Sequence, residues 1–180
     1  MTSAESYQAL GELFAYPLEL ARVRACLNKV AAGIEENGAE KPLQPFATFL
    51  EDVNLGRLQE NYVATFDFDP ARAPYLGHHL FEDHEKRAAF MISVRQLFAR
   101  HGFTPRGCEL PDHLSVLLEF LAHLGRSAVP EVRRSVAAEQ VLPGVKKLVA
   151  RAEFRDSPWY SLVRAAELIL EADTQEVEPC

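Results

Sequence analysis

The sequence predicts an all-α protein, a single bundle of about eight helices. Three observations point there. The 180 residues include 23 leucines and 24 alanines against 14 valines and 3 isoleucines. Unbranched side chains lose less rotamer freedom in a helix, whereas β-branched ones favour strands. Apolar residues recur at alternating steps of three and four, which places them on one helical face. Several prolines stand at the starts of these stripes, where a missing N–H costs no hydrogen bond.

The elements follow in order. Thr2 and Glu5 have capping-box spacing and open a helix with Tyr7, Leu10 and Phe14 on one face, ended by Pro17. Leu20, Val23, Leu27, Val30 and Ile34 form a second stripe, stopped by Asn37-Gly38. Pro42 and Pro45 open a third helix, with Phe46, Phe49, Leu50 and Val53 inward; Leu55, Leu58, Tyr62 and Phe66 mark a fourth. Asp67 to His79 holds Pro70, Pro74 and Gly77 without a period, and reads as a loop of functional length. A long helix is expected from about Glu82 to Arg100, with Met91, Val94 and Phe98 facing the core and His101-Gly102 ending it. Pro111 and Asp112 suit the first turn of the next helix, whose Leu114, Leu117, Leu118, Leu121 and Leu124 make the clearest stripe in the chain. Pro130, Pro143 and Ser157-Pro158 each read as a further helix start, the last leading into Trp159, Leu162, Val163, Ala166 and Ile169.

Composition sets the class. With 48% hydrophobic residues the chain can fill one core, expected over residues 1–172, followed by a loose acidic tail over 173–180. The net charge of −7 argues against a nucleic-acid binder and suits a basic partner. Cys26, Cys108 and Cys180 are far apart, so neither a disulfide framework nor a zinc site is expected. No secretory signal is visible, and the apolar run Leu114 to Leu124 is too short to span a bilayer. A cytoplasmic protein without stable membrane insertion is expected.

No phosphate-cradling glycine loop, GxSxG or HExxH occurs, so an enzyme is not expected and no cofactor is called for. His78, His79 and Glu82, with Asp83, His84 and Glu85, are the densest ligand-type cluster; a polar helix start is the simpler reading, a metal site the alternative. Glu109-Leu-Pro-Asp-His-Leu114 is different, because it packs two acids, a proline and a histidine just ahead of the strongest helix. Asp112 could support the helix start while His113 bonds a loop carbonyl, or both could serve binding.

This segment, followed by Leu117-Leu-Glu-Phe-Leu-Ala122, closely resembles the signature of the NarJ/TorD/DmsD family of molybdoenzyme maturation chaperones. Leu10-Gly-Glu-Leu-Phe-Ala-Tyr-Pro17 resembles the family's N-terminal element, and Glu60-Asn-Tyr-Val-Ala-Thr-Phe-Asp67 its Tyr-x-x-x-Phe helix. His78-His-Leu-Phe-Glu82 and Glu85-Lys-Arg-Ala-Ala-Phe-Met91 resemble the nitrate reductase (NarJ) branch in particular. The resemblance spans about Leu10 to Leu124. It implies an all-helical fold and a cytoplasmic chaperone that binds the N-terminal leader, or leader remnant, of a molybdenum oxidoreductase catalytic subunit. Such a chaperone holds the apo subunit until the molybdenum cofactor is inserted.

Respiratory nitrate reductase is the client the resemblance favours. Selenate, chlorate or perchlorate reductases and dimethyl sulfide or ethylbenzene dehydrogenases are the alternatives. From another class, a guanine-nucleotide-binding protein and a metal-dependent helical enzyme at His78, His79 and Glu82 stay open. Client leaders of this family are basic with an apolar segment, which suits an acidic groove with an apolar floor. The expected groove surrounds the Asp67–His79 loop, with Tyr62, Phe66, His79, Glu82, Glu109, Asp112 and His113 as its site residues. Its aromatics would contact the peptide and its carboxylates would receive arginine; core packing is the alternative for Tyr62 and Phe66. Either a monomer or a domain-swapped dimer hinged at the Asp67–His79 loop is compatible with the sequence.

Overall fold

A computed structural model describes residues 3–35, 42–127 and 129–175. Thr2, Asn37, Gly38 and residues 176–180, which carry an expected cap, a helix stop and most of the expected tail, lie outside them. Helix α7 (Leu114–Arg126) is the axis of the fold. It is buried around most of its circumference, from Leu114 through Leu118 and again at Phe120, Leu121, Ala122 and Leu124. Only Glu119, His123, Gly125 and Arg126 are left less than buried, so the helix is surrounded on its other sides.

Helix α1 (Ser3–Phe14) runs antiparallel along α7, since Gly11 meets Ser115 and Glu119 while Gly125 meets Ala4. A Cβ built on Gly125 would fall 2.9 Å from that of Ala4, so this approach requires the missing side chain. Helix α2 (Leu20–Glu35) buries Val23, Leu27, Val30 and Ile34, the expected stripe. Helices α3 (Gln44–Glu51) and α4 (Leu55–Phe66) converge on Trp159, whose ring lies 4.8 Å from Phe46, 5.4 Å from Tyr62 and 5.2 Å from Phe66. The indole N–H donates to Asn61 Oδ1 at 2.7 Å, so the one polar atom of that ring is satisfied.

Four elements depart from the sequence reading. The expected loop is shorter, because Leu76–Leu80 forms a one-turn helix, α5, that rests on α9 (Leu142–Val149) through close contact of Leu76 with Gly144. Helix α6 begins at His84 rather than Glu82 and runs to Arg100, capped by Asp83, which accepts from the N–H groups of Glu85 and Lys86. Its buried residues are Phe90, Val94 and Phe98, with Met91 only half-buried.

Pro130 opens α8 (Pro130–Val136) and Pro143 stands in the first turn of α9, as expected, but no loop separates the two. A π turn, Ala137–Val141, joins α8 to α9, and the Leu142 N–H donates back to Ala137. Proline 143 has no N–H to give to Glu139, and a widened turn accommodates that gap without breaking the rod.

Helix α10 (Tyr160–Gln175) runs past the expected boundary at residue 172. Asp173 is buried and accepts hydrogen bonds from Tyr7 Oη at 2.8 Å, Arg133 Nε at 3.0 Å and Arg133 Nη2 at 2.5 Å. A carboxylate with three such donors ties α1, α8 and α10 together, so the acidic residues here are not all solvated tail. Among the described residues there is no strand beyond a single bridge, and no helix is long and apolar enough to cross a membrane.

Candidate functional site

The loop after α4 and the segment before α7 meet edge to edge. Leu76 N–H donates to Asp112 O at 2.8 Å and Leu114 N–H to Pro74 O at 2.7 Å, an isolated antiparallel bridge between Tyr75 and His113. This pairing holds His113 extended, at the end of a turn closed by its N–H to Leu110 O at 3.0 Å. Asp112 and His113 therefore stand ahead of α7 rather than in its first turn, and His113, not Asp112, supports the helix start.

His113 starts the helix: its Nδ1 accepts from the Ser115 N–H at 3.2 Å and faces Ser115 Oγ at 2.6 Å. An accepting Nδ1 is unprotonated, and burial holds the ring's pKa below the usual histidine value against the opposing pull of Glu109 and Asp112. Asp112 turns away from the helix. It is wholly buried, and its Oδ2 accepts from Arg87 Nε at 2.9 Å. Gly77 makes room for that pair, since a Cβ there would sit 2.7 Å from Asp112 Oδ2 and 3.1 Å from Arg87 Cγ.

Tyr75 links this buried pair to the surface. The Arg87 guanidinium lies 5.8 Å from its ring centroid, and the His113 ring meets it edge-on at 4.9 Å. Its hydroxyl donates to Glu109 Oε2 at 2.8 Å. Burial and this carboxylate push the phenol's pKa well up. Phe66, Asp67, Pro70, Ala73, Tyr75, His78 and Arg87 line an open cleft of about 290 Å³. Each acid beside it is followed by an exposed apolar residue, Asp67 by Phe68 (79% exposed) and Glu109 by Leu110 (42%). Exposed Tyr16 meets Tyr62 edge-on at 5.5 Å, with exposed Leu18 two residues on.

The structure thus brings Glu109, Asp112 and His113 together with Tyr75 and Arg87. Phe66 reaches the cleft but is almost wholly buried, and Tyr62 lies beneath the surface with its hydroxyl donating to Phe14 O at 3.0 Å. His79 is buried too, and its Nε2 pairs with Ala73 O at 2.7 Å, fixing the cleft wall; burial lowers its pKa. Glu82 is exposed between α5 and α6, and among the described residues no hydrogen bond or ion pair joins it to the cluster. No three His, Cys, Asp or Glu side chains among the described residues converge to hold a metal ion, so the His78–His79–Glu82 alternative finds no geometry.

Tyr75 and Gly77 fall within the Asp67–His79 loop expected at the groove, but neither they nor Arg87 had an individual role from the sequence. Arg87 carried a usable signal: a cation near a helix N-terminus opposes the dipole and calls for a nearby acid. Tyr75 and Gly77 carried none beyond their place in an aperiodic stretch. Two larger clefts, about 490 and 470 Å³, flank α1 and α2 and share Glu12 and Cys26. Their central carboxylate is already engaged, because Arg22 donates two hydrogen bonds to Glu12 at 2.8 and 2.9 Å and holds its pKa down to about 2.

The comparisons with known proteins agree with one another. The family model described as nitrate reductase delta subunit matches residues 35–164. A Bacillus subtilis (strain 168) protein described as a nitrate reductase molybdenum cofactor assembly chaperone, NarJ, is 31% identical over 169 residues, 92% of this chain and 88% of that protein. The Escherichia coli (strain K12) chaperone NarJ is 31% identical over 99 residues, 55% of this chain and 40% of its own length. A crystal structure described as a redox enzyme maturation protein from Archaeoglobus fulgidus superposes with a TM-score of 0.62 at 23% identity, covering 93% of each chain, and shares the fold. The chain belongs to the nitrate reductase delta subunit family, represented in these matches by assembly chaperones.

Proposed function

We propose that this protein is a cytoplasmic chaperone for the catalytic subunit of a molybdenum oxidoreductase, respiratory nitrate reductase in the first instance. It binds the N-terminal peptide of that subunit and holds the apo form open for insertion of the molybdenum cofactor. The likeness to nitrate reductase assembly chaperones over nearly the whole chain supports the chaperone role. The peptide role rests on one observation: two exposed acids, Asp67 and Glu109, flank an aromatic-walled cleft and are each followed by an exposed apolar residue.

A peptide that alternates basic and apolar side chains complements that surface in charge and in hydrophobicity. Glu109 and Asp67 receive its cations. Tyr75, Phe66, Pro70 and Ala73 offer apolar wall, while His79, His113 and Tyr62 hold that wall from beneath. Glu82 lies on the approach from α6. Because both acids are exposed, the attraction is screened by salt.

Calorimetric titration with the N-terminal peptide of the neighbouring molybdenum subunit, about 30 residues long, tests this. Micromolar or tighter binding that weakens with added salt is expected. Peptides from exported molybdoenzymes binding more tightly would reassign the client. Binding to the apo subunit but not to the peptide would overturn the peptide role.

A further inference from the structure

We infer that Tyr75 and Arg87 are positioning residues for peptide binding. They form a relay from buried Asp112 that presents Glu109, and Glu109 rather than Asp112 is the group that pairs with the peptide's arginine. The inference rests on the peptide-binding reading above and names the recognition chemistry of that site.

The geometry runs outward in three steps. Asp112 is 0% exposed and holds Arg87 Nε on Oδ2 at 2.9 Å; its Oδ1 has no partner but is equally buried, so an incoming guanidinium meets no accessible carboxylate there. Arg87, fixed at that end, lies over the Tyr75 ring at 5.8 Å. The ring is further held by the backbone bridge to His113 and by the His113 edge. Only the hydroxyl of this clamped ring continues outward, and it donates to Glu109 Oε2 at 2.8 Å.

Glu109 sits in an exposed connector where a free glutamate would sample several rotamers. Holding it in one of them spares part of the ordering cost of binding. The carboxylate keeps its second oxygen for a donor from the peptide, and a charge-assisted hydrogen bond is the stronger kind.

The test measures affinity of wild type, Tyr75→Phe, Arg87→Lys, Asp112→Asn and Glu109→Gln for two probes. One is the same N-terminal peptide; the other is that peptide with its arginines replaced by citrulline, which keeps shape and removes charge. Wild type is expected to prefer the arginine peptide, and Glu109→Gln to lose that preference. Asp112→Asn is expected to bind more weakly while keeping part of the preference. Tyr75→Phe, which removes one surface hydroxyl and leaves the core intact, should weaken the arginine peptide about three- to tenfold and leave the citrulline peptide unchanged. Arg87→Lys should follow Tyr75→Phe.

Equal loss for both peptides in Tyr75→Phe, or a preference that survives in Glu109→Gln and vanishes in Asp112→Asn, overturns the inference while leaving peptide binding in place. Failure of wild type to bind either peptide overturns the peptide-binding reading and the inference with it.

Discussion

Arg87 donates from Nε to Oδ2 of Asp112 at 2.9 Å, across 25 residues of sequence, and Gly77 packs directly against both side chains. This one contact fixes α6 to the segment before α7 and holds Arg87 in the cleft wall. Breaking a buried ion pair from one side leaves a charge without compensation, which is why such pairs are unforgiving of crowding.

Crowding at Gly77 is the direct check. Gly77→Ala pushes a methyl into Asp112 Oδ2, so a loss of about 1–3 kcal/mol is expected in urea unfolding. Gly56→Ala, in the first turn of α4 with only Asn54 Oδ1 at 3.5 Å, should be neutral or stabilising by up to about 1 kcal/mol. Equal effects at the two positions would show that crowding of the pair is not what matters.

The caps and walls built from histidine make stability depend on pH. His113 and His79 have pKa values lowered by burial, so the unfolded chain binds more protons than the folded one near pH 6. Stability from these groups is present above the ordinary histidine value of about 6.5 and is lost as pH falls below it. The denaturation midpoint should therefore drop between pH 7.5 and 5.5. His113→Asn keeps a side chain that can cap α7 and removes one titration, so its midpoint should drop less.

The C-terminal helix is anchored by a second buried pair. Asp173→Ala leaves Arg133 without its carboxylate in a site where the arginine side chain is 11% exposed, and a loss of about 3–5 kcal/mol is expected by chemical denaturation. Tyr7→Phe removes a single donor to the same carboxylate and should cost about 1 kcal/mol.

Tyr62 separates structure from recognition. Its hydroxyl serves Phe14 O and its ring packs on Trp159, so Tyr62→Phe should cost about 1 kcal/mol of stability and leave peptide affinity within twofold. A larger drop in affinity than in stability would give this ring a direct contact with the peptide.

The helices were legible because their signals are local. Val23 to Ile34 and Leu114 to Leu124 repeat at helical spacing and are buried as that spacing demands, with Leu20 half-buried at the end of the first stripe. The site was half legible. Glu109, Asp112 and His113 stand out by composition, but their roles depend on what faces them across the bridge to Tyr75. That pairing joins residues far apart in sequence and leaves no periodic trace. It is why His113 and not Asp112 supports the helix start: the bridge turns the histidine toward the Ser115 N–H, and the turn before it directs the aspartate to Arg87. Pro143 marked the start of α9 correctly, but the π turn that joins α9 to α8 without a loop has no periodic signal.

Amide hydrogen exchange of the protein with and without the client's N-terminal peptide tests the location of the proposed site most directly. Slowed exchange across residues 67–79 and 106–113, with α1 and α2 unaffected, is the expected result. Slowed exchange confined to the clefts beside Glu12 and Cys26, with 67–79 and 106–113 unchanged, would contradict it and place the peptide against α1 and α2.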